Sequence, residues 1–271
     1  MTVSIDDPDD PRLADFAATD PRQRRREVEQ ATRDAGYLVV EGSFAVRRLI
    51  GSGRPVRAVL VDTTQRALLA DVLETLEAPV YLGSRALIEA TLGYAFHRGA
   101  IASAQRDDGL EPAALLRAGA TRIAVLEGIG DLENLGSIFR NAAAFAIEGV
   151  LLDPRTADPF ARRPIRVSMG HTLTVPWARA QAWPDALADV RDAGFTVAAL
   201  TPDDGAIPID RVPTTGRLAL MLGAEGPGLS AASLAATDLR VRIPMAAGVD
   251  SLNVAAASAI AFHRVAATIA P

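Results

Sequence analysis

Apolar and polar positions along the chain fall into blocks that switch between the spacing of helices and that of strands. An apolar period near 3.6 residues is typical of a helix with one buried face, and a short continuous apolar run is typical of a buried strand. Between residues 22 and 105 these patterns predict an alternating α/β unit. The expected helices are 22–35, 45–53, 66–77 and 84–93, and the expected strands are 37–42, 56–62, 79–83 and 98–105.

A second alternating series begins at residue 122. Its strands are built on continuous apolar runs, which indicates a sheet covered on both faces, and their alternation with helices indicates parallel strands. The expected strands are 122–128, 149–153, 196–200, 218–223 and 239–245, and the expected helices are 134–147, 184–193, 228–236 and 252–269.

Composition marks the boundaries of these blocks. Residues 1–20 are rich in Pro and Asp, which predicts a flexible N-terminal arm. Residues 107–118 interrupt the alternation with charge, Gly and Pro, which predicts a linker. Two domains are then expected, a smaller α/β domain at 21–106 and a parallel α/β domain at 119–271.

The composition is that of a folded globular protein, with 271 residues, 49% of them hydrophobic and 23% charged. No uninterrupted apolar run reaches the roughly 18 residues of a membrane span, and the acidic N-terminus lacks a signal layout, so a cytoplasmic protein is expected. The absence of cysteine excludes disulfides and thiolate nucleophiles, and three scattered histidines predict no metal site.

The net charge of −5 argues against polyanion binding by the whole surface, so RNA or DNA would have to meet local basic patches. All 28 basic residues are arginine, whose planar guanidinium binds phosphate through two donors at once, which lysine cannot do. Two clusters are candidates, although a solvated helix face or loop is the ordinary explanation of each. Their members are Arg22, Arg24, Arg25 and Arg26 in the first, and Arg162, Arg163 and Arg166 in the second.

The glycines after the strand 122–128 raise the possibility of a dinucleotide-binding turn. The segment "EGIGDLENLGSIFR" does not fit G-x-G-x-x-G, because Glu133 stands three residues after Gly130. A nucleotide-dependent oxidoreductase is therefore the weakest of the alternatives.

Three strand ends carry glycine or proline turns, namely "ENLGSIFRN", "LGAEGPGLS" and "IPMAAGVDSLN". Ligands bind beyond the carboxyl ends of parallel strands, so the three turns together predict one site that main-chain groups approach closely. Helix caps, a solvated helix face or a surface turn would account for each polar residue taken alone. Those residues are Asn134, Arg140, Glu225, Ser251 and Asn253.

At these residues the sequence resembles the SpoU (TrmH-like) family of RNA ribose methyltransferases, in the SPOUT class. The motifs, in the family's order, are Asn134-x-Gly136-x-x-x-Arg140, then Leu222-Gly223-x-Glu225-Gly226-x-Gly228, then Ile243-Pro244-Met245 with Ser251-Leu252-Asn253-Val254. The resemblance covers 119–271. The preceding module, through "LVVEGSFAVRRLI" and "HRGAIASAQR", resembles the ribosomal-protein-like RNA-binding domain found in many family members.

The resemblance implies a parallel sheet with a C-terminal trefoil knot, a homodimer, and S-adenosylmethionine (AdoMet) held mostly by main-chain groups. The implied cofactor-binding residues are Gly223, Ile243 and Leu252, with Thr201, Leu222, Gly226 and Met245 beside them. The implied catalytic residues are Arg140, Asn134, Glu225, Ser251 and Asn253. Three positions depart from the common pattern, because Ser137, Asn141 and His171 replace a frequent Asn, a frequent Thr and a small residue.

The activity implied is methyl transfer from AdoMet to a ribose 2′-OH of RNA, with no metal. The N-terminal module favours ribosomal RNA, and transfer RNA remains an alternative. A second alternative is a non-catalytic RNA-binding protein that keeps the knot. Arg140 is either the base that takes the hydroxyl proton or a clamp on the phosphate of the target nucleotide, and the clamp is preferred because guanidinium holds its proton beyond pH 12.

Overall fold

The computed structural model describes residues 2–17, 25–117 and 119–266, with the backbone alone at 25–29. These residues form two compact units. Unit 1 contains the described residues up to Asp107 together with Phe160–Thr174. Unit 2 contains Asp108–Pro159 and the described residues from Val175 onward.

The strands are, in chain order, β1 (Thr2–Ser4), β2 (Tyr37–Glu41), β3 (Val56–Asp62), β4 (Val80–Gly83), β5 (Ala100–Gln105), β6 (Arg122–Glu127), β7 (Gly149–Leu152), β8 (Trp177–Arg179), β9 (Phe195–Leu200), β10 (Ile207–Pro208), β11 (Arg217–Gly223) and β12 (Leu239–Arg242). The α-helices are α1 (Arg25–Asp34), α2 (Ser43–Gly51), α3 (Ala70–Leu73), α4 (Arg85–Leu92), α5 (Pro112–Arg117), α6 (Leu132–Ala144), α7 (Arg162–Val167), α8 (Ala186–Asp192), α9 (Ala231–Ala235) and α10 (Val254–Val265).

Unit 1 is built on a sheet in the order β1-β4-β3-β5-β2. Strands β1, β4 and β3 are parallel, and β5 runs antiparallel to both β3 and β2. The sheet face buries Leu60 and Ile101 against Ile88 of α4. Ser84 caps α4 through its hydroxyl, and Gly93 ends it in the left-handed conformation.

The acidic N-terminal segment is part of unit 1 and not the flexible arm that its composition predicts. Thr2 pairs with Val80 in the sheet, and Leu13 and Phe16 are buried in the core of the unit. These apolar side chains hold the segment on the sheet while its aspartates stay at the surface. Residues 18–20, also assigned to the arm, lie outside the described residues.

The helix predicted at 66–77 is broken into a 3-10 turn at Arg66–Leu69 and the single α-helical turn α3. The Gln65 side chain does not cap this segment, and residues Arg66–Leu69 adopt the tighter i→i+3 hydrogen bonding of a 3-10 helix. Leu69 is buried while Leu68 is left exposed.

Unit 2 is built on a seven-stranded sheet in the order β10-β12-β9-β11-β6-β7-β8, with every pair parallel. This confirms the parallel α/β architecture. Gly223 at the end of β11 is in register with Glu127 at the end of β6, so the loops that follow the two strands start at one edge. Strands β8 and β10 are too short to show a period in the sequence. The trefoil knot stays a prediction.

Of residues 107–118, predicted as a linker, 108–117 belong to unit 2 and contribute α5, Asp107 groups with unit 1, and Ala118 lies outside the described residues. Leu115 and Leu116 are buried in the core of the unit, and the Leu115 side chain packs where a Cβ on Gly149 would stand. The two leucines supply the apolar area that orders the segment.

Residues 160–174, predicted to belong to the second domain, group with unit 1. Arg162 of α7 bonds the Glu41 carboxylate of β2 and the Tyr94 hydroxyl, and Arg48 of α2 donates to the Met169 carbonyl at 2.5 Å. Contacts of charged side chains and main-chain groups with residues far apart in sequence hold residues 160–174 in unit 1. The local sequence pattern therefore does not predict their placement.

Candidate functional site

The loops that follow β9, β11 and β12 surround a cavity of about 440 Å³ in unit 2. All seven residues predicted for cofactor binding line it, namely Thr201, Leu222, Gly223, Gly226, Ile243, Met245 and Leu252. Glu225, Ser251 and Asn253 also line it. Because the strands are parallel, their carboxyl ends meet at one edge, and loops distant in sequence converge there.

Asn253 joins the three motifs. Its Nδ2 donates to Asn134 Oδ1 at 2.9 Å and to Glu225 Oε1 at 2.6 Å. Its Oδ1 accepts from the N–H groups of Ala255 and Ala256 at 2.9 and 3.1 Å and so caps α10. One amide therefore fixes the start of α10, the Glu225 loop and the first turn of α6.

Asn134 is not the N-cap of α6, which was its ordinary explanation. That role belongs to Asp131, whose carboxylate accepts from the N–H groups of Glu133 and Asn134 at 2.9 and 2.8 Å. The buried Asn134 side chain is left to accept the hydrogen bond from Asn253.

The turn after β11 is closed by main-chain packing. A Cβ on Gly223 would stand 2.4 Å from the carbonyl carbon of Gly228 and 2.5 Å from the nitrogen of Leu229, both backbone atoms. Gly226 instead has open space but a φ of +87°, which L side chains rarely adopt. Glycine is thus required at 223 by close approach and at 226 by conformation.

Ser251 and Leu252 form the exposed rim of the third loop. Leu252 retains 38% of its surface, which is high for a leucine beside a cavity. The Ser251 hydroxyl has no hydrogen-bond partner within residues 2–17, 25–117 and 119–266. Both side chains are therefore available to a bound molecule.

Arg140 lies on α6, is exposed and does not line the cavity. Within the described part of the chain, its guanidinium makes neither an ion pair nor a hydrogen bond. A helix rises 1.5 Å per residue, so Arg140 stands about 9 Å along α6 from Asn134. The structure brings together the other four predicted catalytic residues and leaves this one on the open side.

The neighbour of Arg140 anchors α6 to α10. Asn141 Nδ2 donates to the Ala255 carbonyl and to the Ser258 hydroxyl, both at 2.9 Å, and Ser258 is fully buried. Asn134 and Asn141 are seven residues apart, about two turns, and both bond the α10 segment. The face that carries Arg140 is thereby set relative to the cavity.

Two buried carboxylates at the same edge were missed by the sequence analysis. Glu127 ends β6 and Asp153 follows β7, and both accept hydrogen bonds from the exposed Arg155. Burial raises the pKa of Asp153, but hydrogen bonds from the Gly128 N–H and from Thr156 outweigh this and hold the pKa below its usual value. The signal was a carboxylate that directly follows a short apolar run, in "AVLE" and "VLLD".

Of the two arginine clusters proposed for RNA, the one at Arg162, Arg163 and Arg166 does not form an open patch. Arg162 is occupied by Glu41 and Tyr94, and Arg163 and Arg166 are half-buried. Arg22 and Arg24, and the side chains of Arg25 and Arg26, lie outside the described residues.

Across residues 2–17, 25–117 and 119–266, no group of three His, Cys, Asp or Glu side chains could hold a metal ion. No helix in that part of the chain is long and apolar enough to cross a bilayer.

Comparison with known proteins gives consistent matches. The family model of the SpoU rRNA methylases matches residues 121–263. A protein of Mycobacterium tuberculosis described as an uncharacterized tRNA/rRNA methyltransferase is 43% identical over 261 residues, 95% of this chain and 89% of that protein. The 23S rRNA (guanosine(2553)-2′-O)-methyltransferase RlmP of Bacillus subtilis is 33% identical over 52% of this chain and 56% of its own length.

Among solved structures, an AdoMet-bound rRNA methyltransferase from Sinorhizobium meliloti superposes with a TM-score of 0.80. The match covers 97% of each chain at 22% identity, which shows a common fold.

Proposed function

The chain belongs to the SpoU rRNA methylase family, and we propose that it transfers a methyl group from AdoMet to a ribose 2′-OH of ribosomal RNA. The observation that carries the proposal is that the second and third motifs line one cavity, and that the Asn253 amide of the third bonds both Glu225 of the second and Asn134 of the first. A cavity built only for packing would not need a hydrogen-bonded side chain from each of the three motifs.

The cavity suits AdoMet in size and in lining. Its volume of about 440 Å³ lies within the range of small-molecule sites. Apolar side chains such as Leu222, Ile243 and Leu252 line it together with glycines of the turn after β11, and the close approach of Gly228 to Gly223 fixes the shape of that turn. When bound, AdoMet supplies an electrophilic methyl group on a sulfonium.

The residues of this chain then have separate tasks. The loops hold the donor, and Asn253 keeps Glu225 and Asn134 in fixed positions beside it. Arg140 has no partner among the described residues and is free to bind the phosphate of the target nucleotide with its planar fork. With AdoMet bound, Arg140 would orient the ribose hydroxyl through the neighbouring phosphate, the ribose oxygen would take the methyl group as the carbon–sulfur bond breaks, and the hydroxyl proton would pass to phosphate or water.

Ribosomal RNA is proposed as the substrate on two grounds. The Bacillus subtilis relative is named as a 23S rRNA 2′-O-methyltransferase. The sequence also resembles family members that carry a ribosomal-protein-like domain before the methyltransferase domain. Transfer RNA is the alternative that the substrate assay must separate.

A homodimer that forms through α10 is part of the proposal, as is a cytoplasmic location. Helix α10 exposes Ala256, Ile260 and His263 at successive turns of one side, and Ile260 keeps 43% of its surface. Sedimentation at micromolar concentration is expected to give the mass of two chains, and Ile260→Asp is expected to shift it toward one.

The test of the function is transfer of labelled methyl from AdoMet to RNA by the purified full chain. The substrates are ribosomal RNA and transfer RNA isolated from cells without the gene, and the products are digested to nucleosides. Label on a 2′-O-methyl nucleoside of ribosomal RNA is expected. Label on a base would contradict the proposal, and RNA binding without AdoMet binding would favour the non-catalytic alternative.

A further inference from the structure

Two large apolar side chains in unit 1 are more exposed than any others in the described residues. Phe44 in the first turn of α2 keeps 68% of its surface, and Leu68 in the 3-10 turn keeps 61%. The residues that follow Phe44, namely Ala45 and Val46, are buried. Phe44 therefore stands outside the core that its own helix helps to build, and its exposed ring contributes little to folding.

Hydrogen bonds hold the segments around these two side chains together. Arg47 of α2 donates to the Leu68 carbonyl at 2.6 Å and forms an ion pair with Asp71. Ser43, which precedes Phe44, donates its N–H and its hydroxyl to the Arg98 carbonyl at 3.1 and 3.2 Å. We call the resulting area the Phe44 surface, and its residues are Phe44, Arg47, Arg66, Leu68 and Arg98.

The charge of the Phe44 surface is opposite to that of the whole chain. Arg66 and Arg98 are exposed, and neither has an ion pair or side-chain hydrogen bond within the described residues. The neighbouring carboxylate of Asp71 is neutralised by Arg47. In a chain of net charge −5, two unpaired guanidinium groups on segments that are hydrogen-bonded to α2 and its first turn, which carries an exposed aromatic ring, favour an anionic partner with a flat face.

We infer that the Phe44 surface binds an unpaired nucleotide of the RNA substrate, with the base stacked on the Phe44 ring and the flanking phosphates held by Arg66 and Arg98. Bases splayed from loops are recognised by stacking on aromatic side chains, and arginine supplies the backbone contacts. The inference rests on the proposed function for the choice of RNA over a protein partner.

Three substitutions at one position separate stacking from simple apolar contact. Binding is measured by filter retention of end-labelled 23S ribosomal RNA transcript on the full chain, with the KM for RNA in the methyl-transfer assay alongside. Phe44→Ala is expected to weaken binding about tenfold, within the range measured for loss of one stacked base. Phe44→Tyr keeps the ring and is expected to bind like the wild type, whereas Phe44→Leu keeps apolar area only and is expected to bind like Phe44→Ala.

The arginines are tested through salt dependence. Arg98→Ala and Arg66→Ala are each expected to reduce the slope of log affinity against log salt by roughly 0.7, the value for one contact to a single strand. Arg191→Ala is the matched control, because Arg191 is an exposed helical arginine of unit 2 without a described partner. Its slope is expected to equal that of the wild type.

The outcomes separate this inference from the function on which it rests. Wild-type protein that methylates RNA while Phe44→Ala changes neither RNA affinity nor KM would overturn the inference and leave the function standing. Binding by Phe44→Leu at the wild-type level would also overturn it, because apolar contact without stacking would then suffice. Failure of the wild-type protein to bind or methylate RNA would contradict both. Thermal unfolding of each variant at the wild-type temperature shows that folding is intact.

Discussion

Helix α6 has one side that is hydrogen-bonded to neighbouring segments and another whose charged side chain has no described partner. On one side Asn134 and Asn141 are bonded to the start of α10, and through Asn253 to the Glu225 loop. On the other side Arg140 is exposed and bonds no described residue. The first side has the order expected of a site that meets its ligand preformed, and the second has the openness expected of one that meets a large and separate molecule.

This difference suggests that one side of α6 serves the methyl donor and the other serves the RNA acceptor. Main-chain loops that cannot move without breaking hydrogen bonds suit a small donor that must be held in one pose. A free guanidinium suits an acceptor that brings its own charge. Substitutions on the bonded side should therefore change AdoMet affinity, and substitutions on the open side should change transfer alone.

The largest effect is expected from Arg140→Ala. Loss of an electrostatic contact made at the reacting centre commonly costs about 100-fold or more in kcat. Single-turnover transfer to ribosomal RNA should fall by that factor, while calorimetry should give an unchanged AdoMet affinity. Arg191→Ala is the control for charge, and a large loss of AdoMet affinity in Arg140→Ala would break the comparison between the two sides.

Two glycines of one loop sharpen the comparison on the bonded side. Gly223→Ala places a Cβ within 2.4 Å of backbone, so the loop must shift, and AdoMet affinity is expected to fall by about tenfold or more. Gly226→Ala meets no atom within 4 Å and is expected to cost stability of about 1 kcal/mol through its φ, with little change in affinity. Calorimetric titration of both variants is the measurement, and equal affinities would show that the Gly223 contact does not shape the site.

Asn253 carries two functions that one pair of variants can separate. Asn253→Ala removes the cap of α10 and the bonds to Asn134 and Glu225, and is expected to lower the free energy of unfolding by about 1–2 kcal/mol. Asn253→Ser restores a cap but not the amide, so stability should largely return while AdoMet affinity stays a few-fold low. Full recovery of AdoMet affinity in Asn253→Ser would show that the hydrogen bond to Glu225 does not contribute to AdoMet binding.

The smallest effect is a pH dependence of stability at the buried Asp153, which lies at the same edge of the sheet as the cavity loops. The pKa of Asp153 is lowered in the folded chain, so its contribution to stability is complete above the unfolded value of about 3.9 and is lost as pH falls through the folded value. Asp153→Asn should therefore be less stable than the wild type at neutral pH, and the gap should narrow below about pH 4. Urea unfolding at several pH values checks this, and a gap that is constant with pH would contradict it.

The parallel sheet could be predicted because it follows from contiguous residues, whereas the residues that line the cavity are implied by the resemblance of the motifs to the SpoU family. Continuous apolar strands require covered faces, and glycine turns after strands such as β11 mark the edge where ligands bind. The bounds of strands 56–62 and 80–83 fall within a residue of those expected, since β-branched runs end at charged or turn residues.

The parts that could not be predicted depend on contacts between distant residues. The N-terminal segment is ordered by the burial of Leu13 and Phe16. These are two apolar residues among many aspartates, so the average composition of the segment predicts disorder. The Asn253 amide bonds Asn134, which is 119 positions away in sequence, and the spacing of neighbouring residues does not predict such a pair. The exposure of Phe44 is equally hidden, because its place in "SFAVRRLI" would fit a buried helix face.

The central claim is that the cavity between the three loops holds the methyl donor while Arg140 stays free for the acceptor. A crystal structure of the full chain with AdoMet tests it most directly. The account predicts AdoMet in the cavity beside Gly223, Ile243 and Leu252, with Asn253 still bonded to Asn134 and Glu225 and with Arg140 of the same chain bound to no part of the cofactor. AdoMet seated elsewhere, or an Asn253 amide turned away from its two partners to bind it, would contradict the account.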